Sequence, residues 1–130
     1  MRKELIDSNP LIKLSIEFSL AVINYCDKLE VEKRFVIARQ LFRSATSIGA
    51  NSMEAQNPES KADFIHKLKI AAKEADETQY WLILCERGDN YPRPDGLSEK
   101  LEVLNKILGS IISTAKKKTP FGYFLTVFNF

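Results

Sequence analysis

Three observations predict an all-α chain folded as an antiparallel up-down four-helix bundle. Helix breakers are scarce and clustered: of five Gly and five Pro in 130 residues, most sit at Pro58, between Gly88 and Gly96, and between Pro120 and Gly122. The stretches between them carry apolar residues at three- and four-residue steps, the spacing of a buried helical face rather than the alternation of a strand. Four such stripes of about 20 residues, each roughly 30 Å long as a helix and joined by short links, close economically around one core. The length supports a single domain, at the usual ~100–200 residues per domain.

The first helix starts at Asn9-Pro10. Asn accepts from the free N–H groups of a first turn, and Pro lacks the donor that would go unpaired there. The stripe Leu11, Leu14, Phe18, Ala21, Tyr25 and Leu29 carries it to about residue 29. Continuing the stripe would put Glu32 or Lys33 into the core, so a connection is expected near 28–31, although neither Gly nor Pro marks it. The second helix then spans roughly 32–55, with Phe35, Ala38, Leu41, Phe42, Ala45 and Ile48 inward, and Asn57-Pro58 ends it. Ser60 followed by Asp63 resembles a capping box for a third helix that turns Phe64, Leu68, Ala71, Ala75, Leu82 and Cys85 inward and stops at Gly88-Asp89-Asn90. Tyr91-Pro92-Arg93-Pro94 reads as a stiff loop, after which Asp95 or Ser98 caps the fourth helix. Its stripe is Leu97, Leu101, Leu104, Leu108, Ile111 and Ala115. The bundle is thus assigned to residues 1–118 and an apolar tail to 119–130.

Composition removes several classes of function. Apolar residues at 45% and charged residues at 28% are globular values, and a formal charge of +2 is too small to attract nucleic acid through overall charge. Cys26, Cys85 and the single His66 supply neither a disulfide framework nor four zinc ligands, and they read as free groups in a reducing cytoplasm. Met1-Arg2-Lys3 resembles the start of a signal peptide, but Lys13 and Glu17 interrupt the apolar stretch behind it. No window approaches the ~20 uncharged residues of a membrane span, so no membrane partner is expected. His66 has Ala62, Asp63, Lys69 and Ile70 at helical spacing, with no Ser or Cys to activate. The Glu-x-x-His pairs of di-iron bundles are represented only by Asp63-x-x-His66, and no glycine-rich phosphate loop occurs. The reading is of a protein that is not an enzyme and takes no cofactor or small-molecule substrate.

Two helices carry a second apolar face. At roughly 100° per residue, Ile12, Ile16 and Ile23 point away from Leu14 and Phe18, and Ile70, Trp81 and Leu84 lie opposite Leu68, Ala72 and Gln79. Burial of both faces of a helix in so small a domain points to a homo-oligomer with these six residues in its interface; the alternative is apolar residues scattered on the surface.

The segment 41–54 is rich in small residues, and Gly49 costs about 1 kcal/mol relative to Ala in a helix interior, so a close helix contact, within or between subunits, is expected to offset it. Arg43, Ser47, Asn51 and Glu54 form a polar stripe on this helix. It reads as a structural network in which Arg43 and Glu54 satisfy each other or a partner such as Glu77. Phosphate binding by Arg39 and Arg43 is the sharper alternative. With Lys67, Lys69, Lys73, Lys116, Lys117 and Lys118 they are the candidate contacts to RNA or DNA, although lysines at a helix C-terminus also suit the helix dipole.

Around this helix the chain resembles the small four-helix bundle proteins encoded in 23S rRNA intervening sequences, relatives of the accessory protein of diversity-generating retroelements. The family pattern is close to Arg-x-Ala-x-Ser-Ile-x-x-Asn-Ile-x-Glu-Gly. Arg43, Ala45, Ser47, Ile48, Asn51 and Glu54 match it, while Ser52 and Ala55 stand where the family has Ile and Gly. Ser60-Lys61, Asp63-Phe64-Ile65, Leu68, Ile70-Ala71 and Glu77-Thr78 continue the resemblance, which covers about residues 10–118. It implies a ring-like homo-oligomer, a pentamer, and for the retroelement relatives association with RNA or DNA; those relatives are strongly basic and this chain is not. The tail beyond the family core holds Phe121, Phe124, Phe128 and Phe130. Exposed, it would invite aggregation, so it is expected to pack on the bundle or a neighbour, or to dock on another protein, with a disordered segment as the alternative.

Overall fold

The computed structural model describes residues 3–117, which form five helices and no strand. They are α1 (Lys3–Ser8), α2 (Pro10–Val31), α3 (Phe35–Glu54), α4 (Lys61–Arg87) and α5 (Leu97–Lys116). The last four are the expected helices, and α1 is an addition. Six residues are too few for a helix to stand alone, and α1 packs on α2. The tail 119–130 and Lys118 lie outside the described residues.

Asn9 caps α2 as expected: its Oδ1 accepts from the N–H groups of Leu11 and Ile12 at 3.1 and 3.3 Å, with Pro10 in the first turn. The end of α2 falls a few residues later than expected, at a Schellman motif. Arg34 N–H donates to Leu29 O at 2.8 Å and Lys33 N–H to Glu30 O at 2.9 Å, while Lys33 takes a left-handed φ of 60°. A lysine stands where glycine is usual, which is why the boundary carried no mark in the sequence. The turn takes up residues 32–34 and α3 begins at Phe35 instead of 32.

At the start of α4, Ser60 Oγ accepts from Asp63 N–H at 3.0 Å, and the Asp63 carboxylate accepts from Glu59 N–H at 3.1 Å. The capping box therefore forms, displaced by one residue on its return leg. Neither Asp95 nor Ser98 caps α5. Gly96 occupies the cap with φ 83°, a conformation that costs glycine little, and Ser98 instead donates to Glu86 on α4.

The core runs through all four long helices, with Phe18, Phe64, Leu29, Leu41, Leu68, Leu82, Leu104 and Leu108 among its fully buried side chains. On α3 the inward positions are Ala38, Leu41, Ser44, Ala45, Ile48 and Ser52. Phe35 and Phe42 are exposed instead, because at about 100° per residue they stand a quarter to a third of a turn away from that face. On α2 the buried face rotates to Ser15, Val22 and Cys26 beside Leu11, Phe18, Tyr25 and Leu29, leaving Leu14 and Ala21 partly buried at its edge; Ile111 on α5 is likewise partly buried. α3 makes its most extensive contacts with α2 and α4; α5 packs on α4 and α2.

Candidate functional site

The polar stripe of α3 meets α4. Small residues bring these helices together, with Ser44, Ala45, Ala71, Ala75 and Thr78 all buried and Thr78 Oγ1 2.9 Å from Ser44 Oγ. Above them the Arg43 guanidinium reaches two α4 carboxylates, Glu74 at 3.1 Å and Glu77 in close contact. Glu77 Oε2 also accepts from the Trp81 indole N–H at 3.0 Å. The indole and then the guanidinium stabilise the Glu77 carboxylate, whose pKa lies below the usual glutamate range, while Glu77 raises that of Arg43.

Glu54 does not pair with Arg43. Eleven positions separate them, about 16 Å along a helix at 1.5 Å per residue, so a shared direction does not bring them into contact. Glu54 instead accepts from Lys67 at 3.3 Å. The rest of the stripe bonds to its own backbone: Ser47 Oγ donates to Arg43 O at 2.6 Å and Asn51 Nδ2 to Ser47 O at 2.9 Å. The stripe is thus a row of interhelix pairs and backbone braces.

The candidate phosphate contacts divide. Arg43 and Lys67 are held by carboxylates. Arg39, Lys69 and Lys73 are exposed, and the last two lie one turn apart on α4. Lys116 and Lys117 are exposed at the end of α5, where the Lys117 carbonyl accepts from Lys61 Nζ at 2.6 Å. Among the described residues no group of His, Cys, Asp and Glu could hold a metal ion, and no helix is long and apolar enough to cross a membrane.

The six residues of the second apolar faces also divide. Ile12 is buried within this chain, 1% exposed, so it is not part of a free face. It lines the α2–α3 seam, where Gly49 comes so close to Ser15 that an added Cβ would lie 3.2 Å from the Ser15 Cβ. The close contact expected at Gly49 is therefore within the chain. Ile16 and Leu84 are exposed, and Ile23, Ile70 and Trp81 are partly buried. A further apolar surface is one that the helical stripes do not reveal: Val31, Phe35 and Val36 are exposed around the α2–α3 turn, and Phe35 and Val36 share with Trp81, Leu84 and Tyr91 a recess of about 430 Å³. The signal for it is the phase of α3, since Ala38, Leu41, Ala45 and Ile48 define a face that excludes Phe35.

The fold and these surfaces define a small all-helical protein in which the α3–α4 polar cluster joins helices, while the exposed groups include apolar side chains and the cations Arg39, Lys69 and Lys73. The chain belongs to the 23S rRNA-intervening sequence protein family, whose pattern matches residues 8–110. It is similar to a solved protein of unknown function from the S23 ribosomal protein family of Bacteroides thetaiotaomicron, with 43% identity over 78% of this chain and 97% of that one and a TM-score of 0.74. No protein of curated function matches it.

Proposed function

We propose that this chain is a non-enzymatic, self-associating scaffold built on an antiparallel up-down four-helix bundle. Hydrogen bonds between element ends support the topology. Asn9, before α2, donates to Gln56, just past α3, and Lys61 at the start of α4 donates to Lys117 just past α5. Tyr25, late in α2, donates to Pro92 ahead of α5 at 2.7 Å. The observation that carries self-association is the exposed cluster at Phe35, Val36 and Leu84, 53%, 75% and 37% exposed. A contiguous patch of this kind is the usual mark of a protein interface, and a ring such as a pentamer is the assembly that the family resemblance implies.

Light scattering on the full chain at micromolar concentration tests it. A multiple of the monomer mass is expected, and Val36→Glu, which alters a side chain already in water, is expected to return the monomer without lowering helicity. A monomer in the wild type rejects the reading. A second activity, phosphate contact with RNA or DNA, is favoured by Arg39, Lys69 and Lys73, which are exposed and have no carboxylate partner among the described residues. A ring would repeat each weak contact along one strand. Affinity for single-stranded RNA should then fall with log salt at about −0.7 per phosphate contacted. Binding that ignores salt removes this activity and leaves the scaffold.

A further inference from the structure

The α2–α3 seam holds an uncharged groove of about 240 Å³ in which Ile16, Leu20 and Met53 stand exposed at 38%, 56% and 37%. Its floor has the close Gly49–Ser15 approach and one unusual group: the Ser15 hydroxyl is buried and has no hydrogen-bond partner among the described residues. A buried hydroxyl without a partner is costly, and a main-chain amide or carbonyl laid along the groove would satisfy it. Among the described residues the lining comes from α2 and α3 alone.

We propose that the segment 119–130 of the same chain occupies this groove. The segment contains no charged residue, matching a lining with none, and it holds Phe121, Phe124, Leu125, Val127, Phe128 and Phe130. Its point of departure is suitable. Lys117 is tied to Lys61 at the start of α4, and in the bundle proposed above this is the end at which Asn9 meets Gln56 and at which Ile12 and Met53 open the groove. Crossing two helix spacings takes about 20 Å at 8–10 Å each, and the groove from Ile12 to Leu20 adds about 12 Å. Thirteen extended residues beyond Lys117 reach about 40 Å, enough for both. The seated segment would cover apolar side chains that otherwise face water and would remove its own phenylalanines from solvent.

Limited chymotrypsin digestion of the full chain, followed by mass spectrometry, tests the proposal. Cleavage within 121–130 is expected to be at least ~10-fold slower in the wild type than in Ala50→Glu or Leu20→Glu, each of which puts a charge on an exposed groove position. Thermal melting of the two variants confirms that the helices remain folded, and two sites on different helices guard against one of them failing. Protection should be constant over a ~100-fold range of protein concentration, because the occupant belongs to the same chain. Two results would overturn the proposal: equal cleavage in wild type and both variants, or protection that disappears on dilution.

Discussion

Replacing Gly49 by Ala and Gly109 by Ala is the same chemical change in two helix interiors, and the structure assigns it opposite signs. Both gain helix propensity, about 1 kcal/mol for Gly to Ala. At Gly109 nothing lies within 4 Å of the new Cβ, so the full gain should appear. At Gly49 the new methyl meets Ser15 Cβ at 3.2 Å and Ser19 Oγ at 3.7 Å, and the α2 backbone at Ser15 O lies 3.8 Å away. Ser15 is buried between Leu11 and Phe18, so α2 must move by a few tenths of an ångström against a packed core. Overpacking of this kind costs about 1–3 kcal/mol, which offsets the propensity gain and leaves a net loss of about 1 kcal/mol. Urea unfolding followed by circular dichroism should place the Gly109→Ala midpoint above wild type and the Gly49→Ala midpoint below it, about 2 kcal/mol apart at unchanged m-value. In melting temperature the separation is about 6–10 °C for a domain of this size. Equal stabilisation by the two substitutions would refute the close α2–α3 contact.

Arg43→Ala should cost about 1 kcal/mol, because the guanidinium is half exposed and exposed pairs contribute little. Glu77 has a folded pKa below its unfolded one, so the pair's contribution is present above the ordinary glutamate range of about 4.3 and is lost as pH falls through the lower folded value; the Arg43→Ala deficit, measured by urea midpoint, should shrink over that interval. Lys33→Gly should raise stability by about 0.5–1 kcal/mol in the same assay, since glycine takes the left-handed turn without a Cβ penalty. Cys26 and Cys85 should resist a thiol reagent in the native protein and react together on unfolding, because burial raises both thiols, Cys26 to about 12. Folding should correspondingly weaken as pH rises above the free-thiol value of about 8.5, where only the unfolded chain ionises; a reagent that labels either thiol at the bulk rate in native protein contradicts the burial.

The long helices are legible in the sequence because their inward positions repeat with helical period; the α4 stripe from Phe64 to Cys85 and the α5 leucines are buried as read. Phase and termination are less so. Hydrophobicity alone puts Phe35 and Phe42 inside, whereas Ser44 and Ser52, small enough for the α3 contacts, take the core positions. The turn at Lys33 depends on a backbone conformation that lysine does not advertise. The polar stripe is legible as a group of residues, but its pairing is not. Direction around a helix is visible in sequence, while the register of α3 against α4, which sends Arg43 to Glu74 and Glu77 and Glu54 to Lys67, is set by how two surfaces of small side chains settle against each other.

The order in which helices touch has a kinetic meaning. Three of the long-helix interfaces join consecutive helices across links of three to nine residues, while the α2–α5 interface joins distant parts of the chain. Chains dominated by near-neighbour contacts lose little loop-closure entropy before contacts form, and they fold in microseconds to milliseconds. The pairs α2–α3 and α3–α4 can dock early, with α3 as their common member. α5 makes the less extensive contacts, so Leu104→Ala is expected to act mainly on the unfolding rate and Leu41→Ala or Ile48→Val on the folding rate, which the two arms of a chevron plot read separately.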